Sequence, residues 1–458
     1  MKRHAILFIL TATLHAEGDK PAPIFNGTDL SGWVPVNIAP GTFRVKDGML
    51  VTTGSPIGVL RREQMVENFE LELEWRHMTK GGNSGIFVWG DGFPAPGTSY
   101  PRGIEVQVLD NGYDAKGKNE WYSTHGDIFP VNGAKLTVAG RISPDGRRSF
   151  PMEERSKSSP EWNHYRLVGN HGNLSLSVNG KEVTIAKAAS PRKGYLMLES
   201  EGAECQYRNI QFRALPSTNP QPEEIAREAD GFVPIFTGLN LDGWKVPDGD
   251  NGHWKVAGES IDYDAGSEAK GIKDLYTSRA YSDYTLVLDW RIKETPYTNP
   301  RARKILPDGS EKKGADSQPL ALSIPDSDSG IILGGDVRYQ VNIWCWPIGS
   351  GEFYGIRTDP ATPPELRAAV TPRVKADKPI GQWNRFEITH RQGTVTVVLN
   401  GQTVIPAVKM PGLPASGPIG LQHHGGKNPA GEWNSPPALV QFRNVFIKEL
   451  KINGSDQL

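Results

Sequence analysis

The 458-residue chain has two cysteines, Cys205 and Cys345. A disulfide framework is therefore excluded as its source of stability, and no Cys/His spacing reads as a zinc site. The two thiols fall in different halves of the chain, so free, buried cysteines are expected. An excess of one charge is also missing. Lys and Arg number 51 against 52 Asp and Glu, a net charge of −1. That gives no electrostatic footprint for nucleic acid and no polybasic membrane patch. Sustained helical periodicity is nearly absent, with short exceptions around Glu223–Ala229 and Pro364–Val370. Apolar runs after the start are strand-length. The start itself, MKRHAILFILTATLHA, has a basic end at Lys2, Arg3 and His4 and an apolar run over Ala5–Leu14. It reads as an export leader over residues 1–16, too short to cross a membrane, so a secreted or periplasmic protein is expected.

What the chain does have is 51 Gly, 36 Pro and 12 Trp, and a message written twice. FNGTDLSGW (Phe25–Trp33) returns as FTGLNLDGW (Phe236–Trp244). WNHYRLVGNHGNLSLSVNG (Trp162–Gly180) returns as WNRFEITHRQGTVTVVLNG (Trp383–Gly401), with the same Trp-to-Asn step, 179 − 162 = 17 and 400 − 383 = 17. Each half closes on an RN strand, YRNIQFRAL and FRNVFIKEL. Two copies of one fold are expected, over 21–215 and 231–452, joined by the Pro-rich polar linker 216–230. Arg76 and Arg291 differ by 215, but Gly85 and Gly330 by 245, so the second copy carries 30 extra residues between them. That polar, Pro-rich stretch is expected on the surface.

Within each copy the pattern has period two. Phe69, Leu71, Leu73 and Trp75 share one face of FELELEWR, and the charged residues share the other. Asn179-Gly180 and Asn400-Gly401 are hairpin turns after such strands. Many short strands with frequent turns predict an all-β chain with one antiparallel two-sheet sandwich per copy.

In their order and spacing these landmarks resemble the 3-keto-disaccharide hydrolase family. The pieces are FNGTDLSGW, GNSGIFV, GIEVQVLDN, PEWNHYRL with its NG turn, and GYLMLESEG in the first copy. In the second they are DSGII, YQVNIWCWPIGSGEFYG, GQWNRFEI and GPIGLQHHG. The resemblance implies two tandem concanavalin-A-like jelly rolls with sugar bound on the concave sheet. It also implies cleavage of glycosides already oxidised to a ketone at C3.

The candidate residues follow. Glu105 and Gln107 share one strand face, with Asp110 at the strand end. The next loop carries Tyr113, Trp121 and Tyr122 for sugar stacking, and His125 and Asp127 for proton transfer. LESEG adds Glu199 and Glu201, which the resemblance brings near Glu105. Clustered carboxylates provide an acid and a base, or hold a divalent metal such as calcium. In the second copy Glu105 becomes Gln340, Gln107 becomes Asn342, Asp110 becomes Cys345, Glu199 becomes Gln422 and Glu201 becomes His424. Amides bind hydroxyls but transfer no protons at neutral pH. Catalysis is therefore expected in the first copy, with Glu105 or Glu199 as base, His125 or Glu201 as acid, and Arg155 or Asn83 at the enolate oxygen. In the second copy Gln340, Asn342, Gln422, His424, Arg357 and the Trp344/Trp346 pair are expected to bind sugar, or to form a second site. Trp33, Trp162, Trp244 and Trp383 recur in both copies and are expected in the cores. A lectin-like binder without catalysis is the competing class.

Overall fold

The computed structural model describes residues 20–113, 122–123 and 125–451. The leader at 1–16 and Trp121 lie outside the described residues. Each half is an antiparallel two-sheet sandwich, so the chain is all-β, two jelly rolls in tandem, as the alternating pattern requires.

The back sheet of the first half centres on Asn163–Asn170, Phe69–His77 and Cys205–Ala214. Its front sheet runs Ile128–Val131, Gly103–Leu109, Asn83–Gly90, Gly194–Ser200, Gly58–Val66 and Trp33–Val36, with two short strands beyond. Phe69, Leu71, Leu73 and Trp75 meet Ile86, Val88, Ile104, Val106, Val108, Leu196 and Leu198 in one core. Period-two alternation thus leaves Glu105, Gln107 and Glu199 on the outer face of the front sheet. In the NG turns Asn179 (φ 47°) and Gly180 (φ 86°) both take positive φ, as do Asn400 and Gly401, the condition for a hairpin turn that matches strand twist.

The second half repeats the plan, with the back sheet built on Val440–Glu449, Tyr284–Ile292 and Asn384–Arg391. Its front sheet is Trp244–Lys245, Leu275–Thr277, Gly420–Leu421, Asp328–Ile332 and Gln340–Trp344. Part of the 30-residue addition folds as its own hairpin, Tyr297–Arg303 paired with Ala321–Asp326. The short helical signals become a single 3-10 turn at Pro222–Glu224 and a helix at Pro364–Ala369.

The halves pack against each other. Val59, Phe87, Tyr195 and Met197, on the outer face of the first front sheet, join Phe93, Ala229, Val287 and Phe446 in a shared apolar cluster. Val287 and Phe446 belong to the second back sheet, so the second sandwich lies with its back to part of the first one's front. The linker is strapped down rather than loose: Ala226 and Ala229 are buried, and Arg61 donates to the Ala229 carbonyl at 3.0 Å. Both cysteines are free.

One expectation needs correction. Trp33 and Trp244 are core residues, but Trp162 and Trp383 are half-buried plates between arginines. Arg76 and Arg208 lie 4.5 and 3.9 Å from the Trp162 ring centre; Arg291 and Arg443 lie 4.8 and 5.9 Å from that of Trp383. Recurrence in both copies marked a shared cation–π construction, not a shared core.

Candidate functional site

In the first domain, Glu105, Glu199 and Glu201 are brought together. Glu105 lies opposite Phe87 in the ladder and Gln107 opposite Gly85; on the other side, Leu198 lies opposite Ile86. Glu105 and Glu199 therefore flank Gly85, which has no side chain to keep them apart. A Cβ there would sit 2.7 Å from Glu105 Oε1 and 2.8 Å from Glu199 Oε2. Both glutamates are buried, and the carboxyl groups of Glu199 and Glu201 lie within hydrogen-bond reach of each other. Glu201 is half-buried, the least buried of the three. Its carboxylate accepts from the Tyr100 hydroxyl at 2.8 Å and from the Asn83 amide. Gln107 donates to Asn83 Oδ1 at 2.9 Å. Arg148 donates to Gln107 Oε1 at 3.3 Å and pairs with Asp127 at 3.4 Å.

Three crowded, desolvated carboxyl groups cannot all ionise. Burial, then the charge of Glu201, pushes Glu105 up to about 8 against the pull of Arg148. Burial and its two neighbours raise Glu199 well above the usual range. Burial also raises Glu201, with the Tyr100 hydrogen bond opposing. The three titrate as a group that retains protons at neutral pH. Among the described residues no group of three His, Cys, Asp or Glu side chains is disposed to hold a metal ion.

Three first-domain candidates are engaged elsewhere. Asp110 caps a loop, accepting from the backbone of Gly81, Gly112 and Ser159. Burial alone would raise its pKa, but those three donors hold it below the usual value. His125 is buried with a ring nitrogen 2.6 Å from Ser156 Oγ, and burial pushes it down to about 4. Its ring is neutral at neutral pH, so it is not the imidazolium acid that a leaving group would need. Arg155 bonds the carbonyls of Val178 and Asn179 and the Glu153 carboxylate, at the back-sheet hairpin. Tyr122 is half-buried with its ring 5.9 Å from that of Tyr113. Tyr100 and Arg148 were missed; neither lies in a recurring motif.

The second domain presents a cleft of about 430 Å³ on its front sheet. Six of the expected residues line it: Gln340, Asn342, Trp344, Trp346, Gln422 and His424. Gln340 Nε2 donates to Asn342 Oδ1 at 2.7 Å and to Gln422 Oε1 at 2.8 Å, forming an amide row. Trp344 and Trp346 stack with ring centres 4.3 Å apart, and Tyr354 stands edge-on to both. Tyr297, Asn299 and Arg301 of the added hairpin line another side, so that addition builds the site rather than only surface. Arg357 is not in the cleft wall. It is buried beneath, paired with Glu352, whose backbone carbonyl accepts from Asn342.

The cleft also holds Asp328, which sequence reasoning passed over by following only the carboxylates of the first copy. Since 328 − 83 = 245, the offset of the two SGI glycines, Asp328 takes the place of Asn83. The Asn83·Glu201 pair of the first domain thus becomes Asp328·His424 in the second. Burial pushes Asp328 up to about 7, with His424 opposing and Asp326 adding. His424 Nδ1 lies 2.5 Å from the Pro436 carbonyl, which can only accept. In the neutral ring Nδ1 therefore carries the hydrogen and Nε2 the free lone pair.

A family model described as 3-keto-alpha-glucoside-1,2-lyase-like domain matches residues 20–213 and again 231–448. The 3-keto-disaccharide hydrolase of Bacteroides thetaiotaomicron is 32% identical over 236 residues, covering 44% of this chain and 81% of the relative. Among solved structures, a Parabacteroides distasonis protein proposed to be a glycosyl hydrolase aligns with 43% of this chain and 95% of its own, at 19% identity and a TM-score of 0.34. The carbohydrate-binding module CBM66 of Bacillus subtilis aligns with 40% of this chain and 96% of its own, at 11% identity and a TM-score of 0.30.

Proposed function

The chain belongs to the family of 3-keto-alpha-glucoside-1,2-lyase-like domains, which it carries twice, and we propose that it is an exported enzyme cleaving glycosidic bonds of sugars oxidised to a ketone at C3, with the proton transfers in the first domain. The observation that carries this reading is the convergence of Glu105, Glu199 and Glu201 around Gly85. A C3 ketone acidifies the hydrogen on C2. A base removes that proton, an enolate forms, the C1–O bond breaks, and the departing oxygen takes a proton; water then adds to the C1–C2 double bond. The reaction needs one ionised and one protonated group close together.

The cluster supplies both. Glu201 is the least buried of the three, and the donors Tyr100 and Asn83 favour its ionised form; it takes the C2 proton. Glu105, pushed up to about 8, is protonated at neutral pH and supplies the leaving oxygen. The second domain binds sugar through its amide row and aromatic wall. Aglycone release from a panel of 3-keto-glycosides and their unoxidised parents, with and without chelator, tests the reaction. Release from the keto forms alone, lost in Glu105→Gln while sugar binding persists, supports it. Unchanged turnover in that variant overturns the first-domain assignment, and glycan binding with no release from either set makes the protein a lectin.

One observation favours a second reading. Asp328 and His424, with Nε2 free to accept a proton, form an acid–base pair in the open cleft of the second domain. Turnover that survives Glu105→Gln and disappears in His424→Asn would place the chemistry there.

A further inference from the structure

Between the SGI glycine and the EVQ or QVN strand, the first copy is the longer one. Gly85 and Gly330 differ by 245, Glu105 and Gln340 by 235, so the first copy carries ten more residues. Five of them fall in the loop 91–102, twelve residues against the seven between Ile332 and Gln340, and the rest lengthen the flanking strands; this loop plugs into the outer face of the second back sheet. Gly97 N donates to Asp289 Oδ2 at 2.9 Å. Arg385, bound through two nitrogens to Asp289, also donates to the Pro94 carbonyl at 2.8 Å. Asn444 donates to the Thr98 carbonyl at 3.0 Å. Arg443 donates to the Gly97 carbonyl at 3.0 Å and to Ser99 Oγ at 2.7 Å. Ser99 donates in turn to Glu259 at 2.6 Å, and Glu259 also accepts from Ile57 N at 2.8 Å. Gly97 lies so close to the Trp383 ring that a Cβ would approach its Cδ1 to 2.1 Å.

The duplication is its own control. The first domain has the same outer face: Arg76 and Arg208 flank Trp162 as Arg291 and Arg443 flank Trp383. Arg76 Nε donates to Gln206 as Arg291 Nε does to Gln441, and Asn209 and Asn444 share φ 51°. There Arg208 is paired with Glu74 of its own sheet. The socket is thus common scaffold, and the plug is particular to the first copy. The residue after the plug's last anchor, Ser99, is Tyr100, which lies on Phe87 with ring centres 6.4 Å apart and donates to Glu201.

We propose that the second domain sets the geometry of the acid–base cluster in the first: Arg443 and Glu259 are positioning residues that hold Ser99, and through it Tyr100, against Glu201. This rests on the first-domain assignment above. The groups facing Glu201 are Glu199 and Glu105 from the front sheet, Asn83 beside them, Tyr100 from the plug, Arg148 across the sheet and Tyr113 from the loop after Gly103–Leu109. Of these, only Tyr100 is tied to the second domain by the plug. Its hydrogen bond favours the ionised carboxylate, so loosening the plug leaves Glu201 harder to ionise.

The test uses the full chain labelled with carboxyl-13C glutamate, titrated by NMR, with Glu201 identified through Glu201→Gln. The variants are Ser99→Ala, Arg443→Gln and Tyr100→Phe, each checked for folding by thermal melting. The expected result is a Glu201 midpoint raised by about one pH unit in Tyr100→Phe. Ser99→Ala and Arg443→Gln move it in the same direction, and neither adds to Tyr100→Phe in the double variant. The pH profile of aglycone release shifts with it. A wild-type midpoint in both Ser99→Ala and Arg443→Gln, or none shifted by Tyr100→Phe, overturns the proposal. The titration needs no substrate, so it decides the positioning role separately from turnover in Glu105→Gln, which decides the reading beneath it.

Discussion

Glu105 and Glu199 meet over Gly85, with a carboxyl oxygen of each under 3 Å from where that residue's missing Cβ would lie. Gly85 does not have positive φ, so alanine suits its backbone, and the atoms in the way are the ends of flexible side chains. Gly85→Ala should therefore fold with Tm within about 4 °C of the wild type while turnover of a 3-keto-glycoside falls at least about tenfold. Full turnover in a well-folded Gly85→Ala would separate the cluster from the chemistry.

Stability should fall as pH rises. Glu105 is pushed up to about 8 from a free value of 4.5, so between those values the folded chain binds protons that the unfolded chain releases. The contribution is complete below the free value and lost as pH rises through about 8. Melting followed from pH 5 to pH 9 should show Tm of the wild type declining more steeply than that of Glu105→Gln. Parallel curves would mean that Glu105 is ionised throughout.

Tyr354 stands edge-on to the Trp344–Trp346 stack and is exposed to the second cleft. Tyr354→Ala should weaken glycan binding about tenfold, the loss of one aromatic contact of about 1.4 kcal/mol. Release at saturating substrate should be unchanged if the chemistry is in the first domain. Calorimetry and steady-state kinetics on the same preparation give both numbers.

Beneath that cleft Arg357 and Glu352 form a buried ion pair. Burial pushes Glu352 up to about 7, with Arg357 holding it down. Arg357→Met leaves that carboxylate alone in the interior and should cost the second domain about 3–5 kcal/mol in denaturant unfolding. Adding Glu352→Gln should recover much of the loss; no recovery would show that Arg357 acts through packing.

The sandwich was legible because period two is a local property: Phe69, Leu71, Leu73 and Trp75 show their buried face without reference to any partner. So was the Glu105–Gln107 row, since one strand contains both. The rest needed contacts far apart in sequence. Tyr100 reaches Glu201 across 101 residues, and its loop carries no repeat signal. Asp110 was legible as a strand-end residue, but not that backbone amides claim its carboxylate. His125 and Arg155 had the right chemistry in the wrong place, because a loop's direction is not encoded in its composition. Asp328 was legible as the counterpart of Asn83 from the shared offset of 245, but not as a residue sharing a cleft with His424.

The plug of the first copy and the socket of the second give the duplication a direction. The outer face that receives the plug exists twice, but the loop that fills it is longer in one copy only. The copies are therefore not interchangeable: exchanging one for the other, or inserting a third between them, would leave a plug without its socket. The chain is thus an ordered pair: Glu105 and Asn83 stand in the half that bears the plug, and Gln340 and Asp328 in the half that bears the socket.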